Sequence, residues 1–151
     1  MNKKIFIASD HAGFLAKQDI KEILLELGYE FEDLGPFNED SVDFPIYAKK
    51  VAQKVQDNFN LSFGILICGS GNGMAIAANK FRGIRANLGY DEYSAKFSRL
   101  DNDANILTLR AREFDHSNYR KIIETFLTTE FSGLARHQRR IEQVTQMMEE
   151  N

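Results

Sequence analysis

The feature that most restricts the fold is a repeated change of hydrophobic period along the chain. Short apolar runs, each read as a strand, occur as KKIFIAS (3–9), YEFEDL (29–34), SFGILIC (62–68), GIRANLGY (83–90) and NILTLR (105–110). Helical spacing follows each of them. Leu15, Ile20, Ile23, Leu24 and Leu27 recur on one face, with Gly28 where a helix C-cap glycine belongs. Asp43 precedes a helix from about Pro45, with Tyr47, Ala48, Val51, Ala52 and Val55 on one face, and MAIAANKF, 91–100 and 119–127 complete the series. Strands that alternate with helices must pair in parallel, because each crossover carries the chain back to the same edge. The prediction is a three-layer α/β domain with a five-stranded parallel sheet, followed by a polar C-terminal helix over about 136–150.

Composition agrees with one domain. At 151 residues and 43% hydrophobic, the chain can bury a core without disulfide or metal staples. Its 19 basic and 22 acidic residues give a net charge of −3, so no broad field favours nucleic acid or an anionic membrane. A single cysteine excludes an internal disulfide, the first apolar run is short for a signal peptide, and no stretch approaches membrane length. The expectation is a cytoplasmic protein with no membrane or nucleic-acid partner.

In open parallel sheets, ligands bind beyond the carboxyl ends of the strands. Five loops therefore matter: 9–13, 35–43, 68–73, 90–91 and 110–115. The third reads Cys68-Gly69-Ser70-Gly71-Asn72-Gly73, a glycine-rich turn between a buried strand and a helix. Glycines there let backbone N–H groups converge on an anion, and a helix N-terminus adds partial positive charge. Three familiar motifs fail. The spacing is G-x-G-x-G instead of G-x-G-x-x-G, Met74 and Ala75 stand where a P-loop needs Lys and Ser/Thr, and no arginine closes the loop as a cysteine phosphatase requires. A lone cysteine is often only a small buried hydrophobe. At a strand end, facing N–H donors, Cys68 is better read as a base or nucleophile.

Asp10 and His11 end the first strand on the same rim, which favours substrate contacts over a merely structural loop. Arg136-His137-Gln138-Arg139-Arg140 places cations at a helix start, where the dipole disfavours them and a bound anion would relieve the conflict. Arg136 and Arg140, four apart, share a face and can grip one phosphate, while Arg139 points elsewhere. Arg112 leaves the fifth strand near the Cys68 rim. No metal-ligand spacing and no serine-hydrolase elbow occurs, so neither a metal nor another cofactor is expected.

Taken together, Ser9–Gly13 (SDHAG), Asp43-Phe44-Pro45, Gly64–Gly73, Ile76–Lys80, Gly83–Ala86, Asn102–Asn105 and Arg136–Arg140 resemble type B ribose-5-phosphate isomerase, in a group that includes allose- and galactose-6-phosphate isomerases. The likeness runs in consistent order from residue 3 to about 145. It implies a Rossmann-like fold and a metal-free aldose–ketose isomerase of carbohydrate metabolism, with ribose 5-phosphate as substrate and a 6-phosphohexose as the alternative. It also implies a homodimer, or a tetramer, with active sites shared between subunits.

By this resemblance Cys68 moves a proton between C2 and C1, while Ser70 and the N–H groups of Gly69, Gly71, Asn72 and Gly73 hold the oxyanion. Asp10 would bind sugar hydroxyls, His11, Arg136 and Arg140 the phosphate, with Arg112 as a fourth contact. Asn102 would come from the other subunit. Two departures stand out. Asp101 occupies the place of a ring-opening histidine, which leaves three alternatives, Asp101 as the acid or base, His11 in its stead, or a substrate that enters already open, and Met74 stands where some members carry a glutamate base. A non-catalytic sugar-phosphate or nucleotide-binding module is the reading from another class.

Overall fold

In a computed structural model that describes residues 3–150, the five strands form one parallel sheet in the order β2-β1-β3-β5-β4. The elements run β1 (Lys4–Ser9), α1 (Phe14–Glu26), β2 (Phe31–Asp33), α2 (Phe44–Asp57), β3 (Ser62–Cys68), α3 (Asn72–Ala78), β4 (Ala86–Leu88), α4 (Glu92–Leu100), β5 (Ile106–Arg110), α5 (Tyr119–Thr128) and α6 (Ala135–Glu149). A short 3-10 turn, His116–Asn118, leads into α5. All five expected strands are present. The two at the sheet edges, β2 and β4, are shorter than their apolar runs because each pairs on one side only.

Strand alternation sorts the core into two layers. Ile5, Ile7, Ile65, Ile67, Leu107 and Leu109 face α1, α4 and α5, where Ile20, Leu24, Ile122, Ile123 and Phe126 meet them. Phe6, Ala8, Leu66, Cys68 and Ile106 face α2 and α3, packing on Ala48, Val51, Ala52, Val55, Met74 and Ala78. Residues on both faces of β3 are buried, which is why its run shows no alternation. Leu15 departs from the expected apolar face of α1: it is 61% exposed, and Lys17 takes a buried place instead.

Lys17 is fully buried and donates to Asp33 Oδ1 at 2.7 Å and to the Pro36 carbonyl at 2.6 Å. Asp33 also accepts from Lys21 and from the Gly35 N–H. Burial pushes the Lys17 ammonium down from its usual range, and the bonds and charge of Asp33 oppose that shift. The network ties α1 to the Gly35–Asp43 connection, whose Gly35-Pro36 peptide is cis. That connection leads into α2 and sets one wall of the cavity described below.

The polar C-terminal segment is helical over Ala135–Glu149, with Asn151 outside the described residues. His137 is buried against the end of α4, and Arg82 bonds Glu149 at the far end of α6. No helix among the described residues is long and apolar enough to cross a membrane.

Candidate active site

The chain runs from β1 out to β2 and then back past β1 to β3, so the direction of sheet growth reverses between β1 and β3. Ligand crevices form at such reversals. There Asp10 follows β1 and Cys68 ends β3, and the Asp10 N–H donates to the Ile67 carbonyl at 3.1 Å. Gly13 comes so close that an added Cβ would lie 2.6 Å from the Ile67 oxygen. The start of α1 therefore sits directly on the end of β3.

The cavity at this edge measures about 480 Å³ and is lined by Asp10, Phe44, Cys68, Gly69, Ser70, Gly73, Arg110, Arg112 and Glu113. Cys68 is 5% exposed, and its Sγ accepts the Gly71 N–H at 3.1 Å. Gly71 makes this possible with φ +80°, beside Leu88 and the Leu109 backbone. The loop continues without a break into α3, whose first residue is Asn72, two residues before the expected start. Asn72 N–H donates to Ser70 Oγ at 3.2 Å. Asp10 Oδ1 accepts from Gly13 N–H at 3.0 Å, which fixes its carboxylate in the crevice.

His11 lies on the same rim, with Nδ1 3.2 Å from both the N–H and the carbonyl oxygen of Val42. Arg112 folds over the loop: a Cβ on Gly69 would lie 3.3 Å from its side chain. One end of the sheet thus gathers Asp10, His11, Cys68, Ser70, Gly69, Gly71, Asn72, Gly73 and Arg112. Arg110, Phe44 and Glu113 also stand on the cavity wall; the sequence marks the 110–115 loop and the Asp43-Phe44-Pro45 segment but singles out none of the three as a site residue. The parity of β5 puts Arg110 on the Ile106 face, but its register against Cys68 comes only from strand pairing.

Asp101, Asn102, Arg136 and Arg140 lie elsewhere. Asp101 and Asn102 follow α4 and precede β5, at the amino end of the sheet, and β5 alone separates the two ends by roughly 13 Å. Asn102 and Arg140 line a different cavity, of about 680 Å³, together with Arg85, Ile84, Ile141 and Val144. Asp101 lies 3.6 Å from His137 Nδ1, which also meets Ser132 Oγ at 2.8 Å. Arg85 and Arg99 both grip Asp103, and Arg85 Nε bonds the Asn102 carbonyl at 2.9 Å, so this turn is firmly held. Burial pushes Arg85 down from its usual value while the Asp103 carboxylate opposes the shift.

Among the described residues no group of three or more His, Cys, Asp or Glu side chains is placed to hold a metal ion. The crevice offers a thiol, directed N–H donors and two arginines. That set suits proton abstraction beside a carbonyl with stabilisation of the resulting oxyanion.

A family model described as Ribose/Galactose Isomerase matches residues 5–144. Ribose-5-phosphate isomerase B of Escherichia coli is 41% identical over 143 residues, covering 95% of each chain. The putative sugar phosphate isomerase YwlF of Bacillus subtilis is 46% identical and covers 98% of this chain and 99% of its own. Among solved structures, ribose-5-phosphate isomerase B of Mycoplasma genitalium with bound ribulose-5-phosphate superposes with a TM-score of 0.93. It is 41% identical, and the match covers 100% of this chain and 99% of that one.

Proposed function

This chain belongs to the ribose/galactose isomerase family and is an aldose–ketose isomerase, and we propose that it interconverts ribose 5-phosphate and ribulose 5-phosphate with Cys68 as the base. The observation that carries this reading is the buried Cys68 thiol, aimed into the crevice and held by the Gly71 N–H. The Sγ takes the proton from C2, the C2–H electron pair forms the enediolate, and the Sγ delivers to C1 either that proton or one it has exchanged with solvent. The hydroxyl proton passes from O2 to O1, so the reaction balances within the substrate. Ser70 and the free N–H groups of the loop stabilise the oxyanion, as preorganised donors do. Asp10 orients the sugar hydroxyls.

The phosphate needs its own anchor. His11 and Arg112 lie on the Cys68 rim, whereas Arg136 and Arg140 belong to α6, whose first turn packs at the opposite end of the sheet. A second copy of the chain resolves this separation by bringing Asp101, Asn102, Arg136 and Arg140 of the partner subunit to the crevice. Isologous pairing would complete two identical sites at once. Asp101 of the partner subunit then stands by the sugar ring as the acid or base that opens it. The domain is a single catalytic unit whose C-terminal helix packs on the partner.

The test is a panel of aldose phosphates assayed for ketose formation. Turnover of ribose 5-phosphate is expected; turnover of allose or galactose 6-phosphate alone would move the substrate to a hexose. Absence of any exchange between the substrate C2 hydrogen and solvent would reduce the protein to a binding module.

A further inference from the structure

Arg110 ends β5 directly opposite Cys68 in the parallel register, on the same face of the sheet as Ile106 and Leu66. It lines the cavity beside Cys68, Gly69, Ser70 and Gly73. Its backbone is pinned, since the Tyr119 hydroxyl donates to the Arg110 carbonyl at 2.7 Å. The guanidinium carbon lies 5.6 Å from the centre of the Phe114 ring. This is a strand-borne, braced cation, unlike the exposed Arg112 on the loop.

Its polar groups are not satisfied within the chain. Arg110 Nε is buried without a hydrogen-bond partner, and among the described residues no carboxylate forms an ion pair with Arg110. A buried guanidinium N–H normally has such a partner. Asp10, the buried carboxylate that lines the same cavity, already accepts from the Gly13 N–H. The glycine loop is short of donors too: Gly71 N–H is engaged with Sγ and Asn72 N–H with Ser70 Oγ. An enediolate spreads its charge over two oxygens, and a guanidinium beside the loop adds a charged, forked donor to the remaining N–H groups.

We propose that Arg110 is a catalytic residue whose guanidinium holds the enediolate oxygens beside Cys68. The inference rests on the isomerase reading of the Cys68 crevice. Arg110 contributes charge and hydrogen bonds, while Cys68 carries the C2 hydrogen. Because the contact strengthens as charge develops, it acts on turnover more than on substrate binding.

The experiment compares Arg110→Met, Arg110→Gln and Arg110→Lys with wild type. Measured quantities are kcat and KM for ribose 5-phosphate, inhibition by inorganic phosphate, and inhibition by a phosphosugar hydroxamate that mimics the enediolate. Arg110→Met is expected to lower kcat by about 100-fold or more and to weaken the hydroxamate at least about tenfold. KM and phosphate inhibition should stay within about threefold of wild type. Arg110→Lys should recover part of both losses. If Arg110→Met does not fold, Arg110→Gln, which keeps part of the stem and a polar end, carries the comparison. Unchanged kcat and hydroxamate affinity would overturn the proposal, as would a loss of phosphate inhibition equal to that of the hydroxamate. A wild-type protein without isomerase activity would instead overturn the reading beneath it.

Discussion

The Gly71 N–H donates to the Sγ of Cys68 across a three-residue turn, at 3.1 Å. A donor held there stabilises negative charge on sulfur, and the turn closes only because Gly71 adopts φ +80°. The thiol and the glycines of this loop are therefore one device.

Gly71→Ala should damage fold and catalysis together. Its Cβ would lie 2.4 Å from Leu88 Cδ1 and 3.1 Å from the Leu109 backbone, in a conformation that L side chains disfavour. The combined backbone and overpacking cost is on the order of 2–4 kcal/mol. Urea unfolding should show that loss, with kcat falling as the Sγ contact is displaced; wild-type stability would contradict it.

Asp33 makes stability depend on acid. Burial favours its neutral form, but the bonds from Lys17, Gly35 and Lys21 outweigh this and hold the carboxyl below its usual value. A lowered folded value means stability that is present above the unfolded value of about 3.9 and is lost as pH falls through the folded one. Asp33→Asn should flatten that part of the acid limb in urea midpoints measured from about pH 5 downward. Lys17→Met should cost about 1–3 kcal/mol at neutral pH, since Asp33 loses its closest cation but keeps the bonds from Lys21 and the Gly35 N–H.

The order of strands and helices was legible because apolar periodicity reports burial directly, and β3 emerges over the same residues, Ser62–Cys68. Edge-strand lengths were not, since they depend on which strands lack a second neighbour. Rim residues such as Asp10, His11, Cys68 and Arg112 follow from the rule that strand ends carry the site. Lys17 had a signal that went unread: it lies three and seven residues before Ile20 and Leu24, on the buried stripe of α1. Arg110 required the β3–β5 register, which a single sequence does not contain. That Asn102 stands at the opposite end of the sheet from the thiol is implicit in the helix-to-strand order, but the packing of α6 that puts Arg140 beside it is not.

That separation predicts complementation between subunits. Cys68→Ala and Arg140→Ala should each be nearly inactive alone, yet a mixture allowed to exchange subunits should recover about a quarter of wild-type activity, from one intact site per mixed dimer. No recovery in a mixture proven to exchange would place the whole site within one chain.

Asp101→Asn separates ring opening from proton transfer. Ribose 5-phosphate is mostly cyclic, whereas ribulose 5-phosphate, with its C5 oxygen phosphorylated, cannot close a furanose. The variant should turn over ribose 5-phosphate about 10–100-fold more slowly while still exchanging the C1 hydrogen of ribulose 5-phosphate with solvent. Equal losses in both assays would remove Asp101 from ring opening.

The central claim is that Cys68 carries the proton. Its most direct test is hydrogen exchange in deuterated water with Cys68→Ala, following C2 of ribose 5-phosphate and C1 of ribulose 5-phosphate by NMR. The expected result is loss of both exchanges by at least about 1,000-fold, with inorganic phosphate still binding as it does to wild type. Exchange at the wild-type rate in that variant would contradict the mechanism.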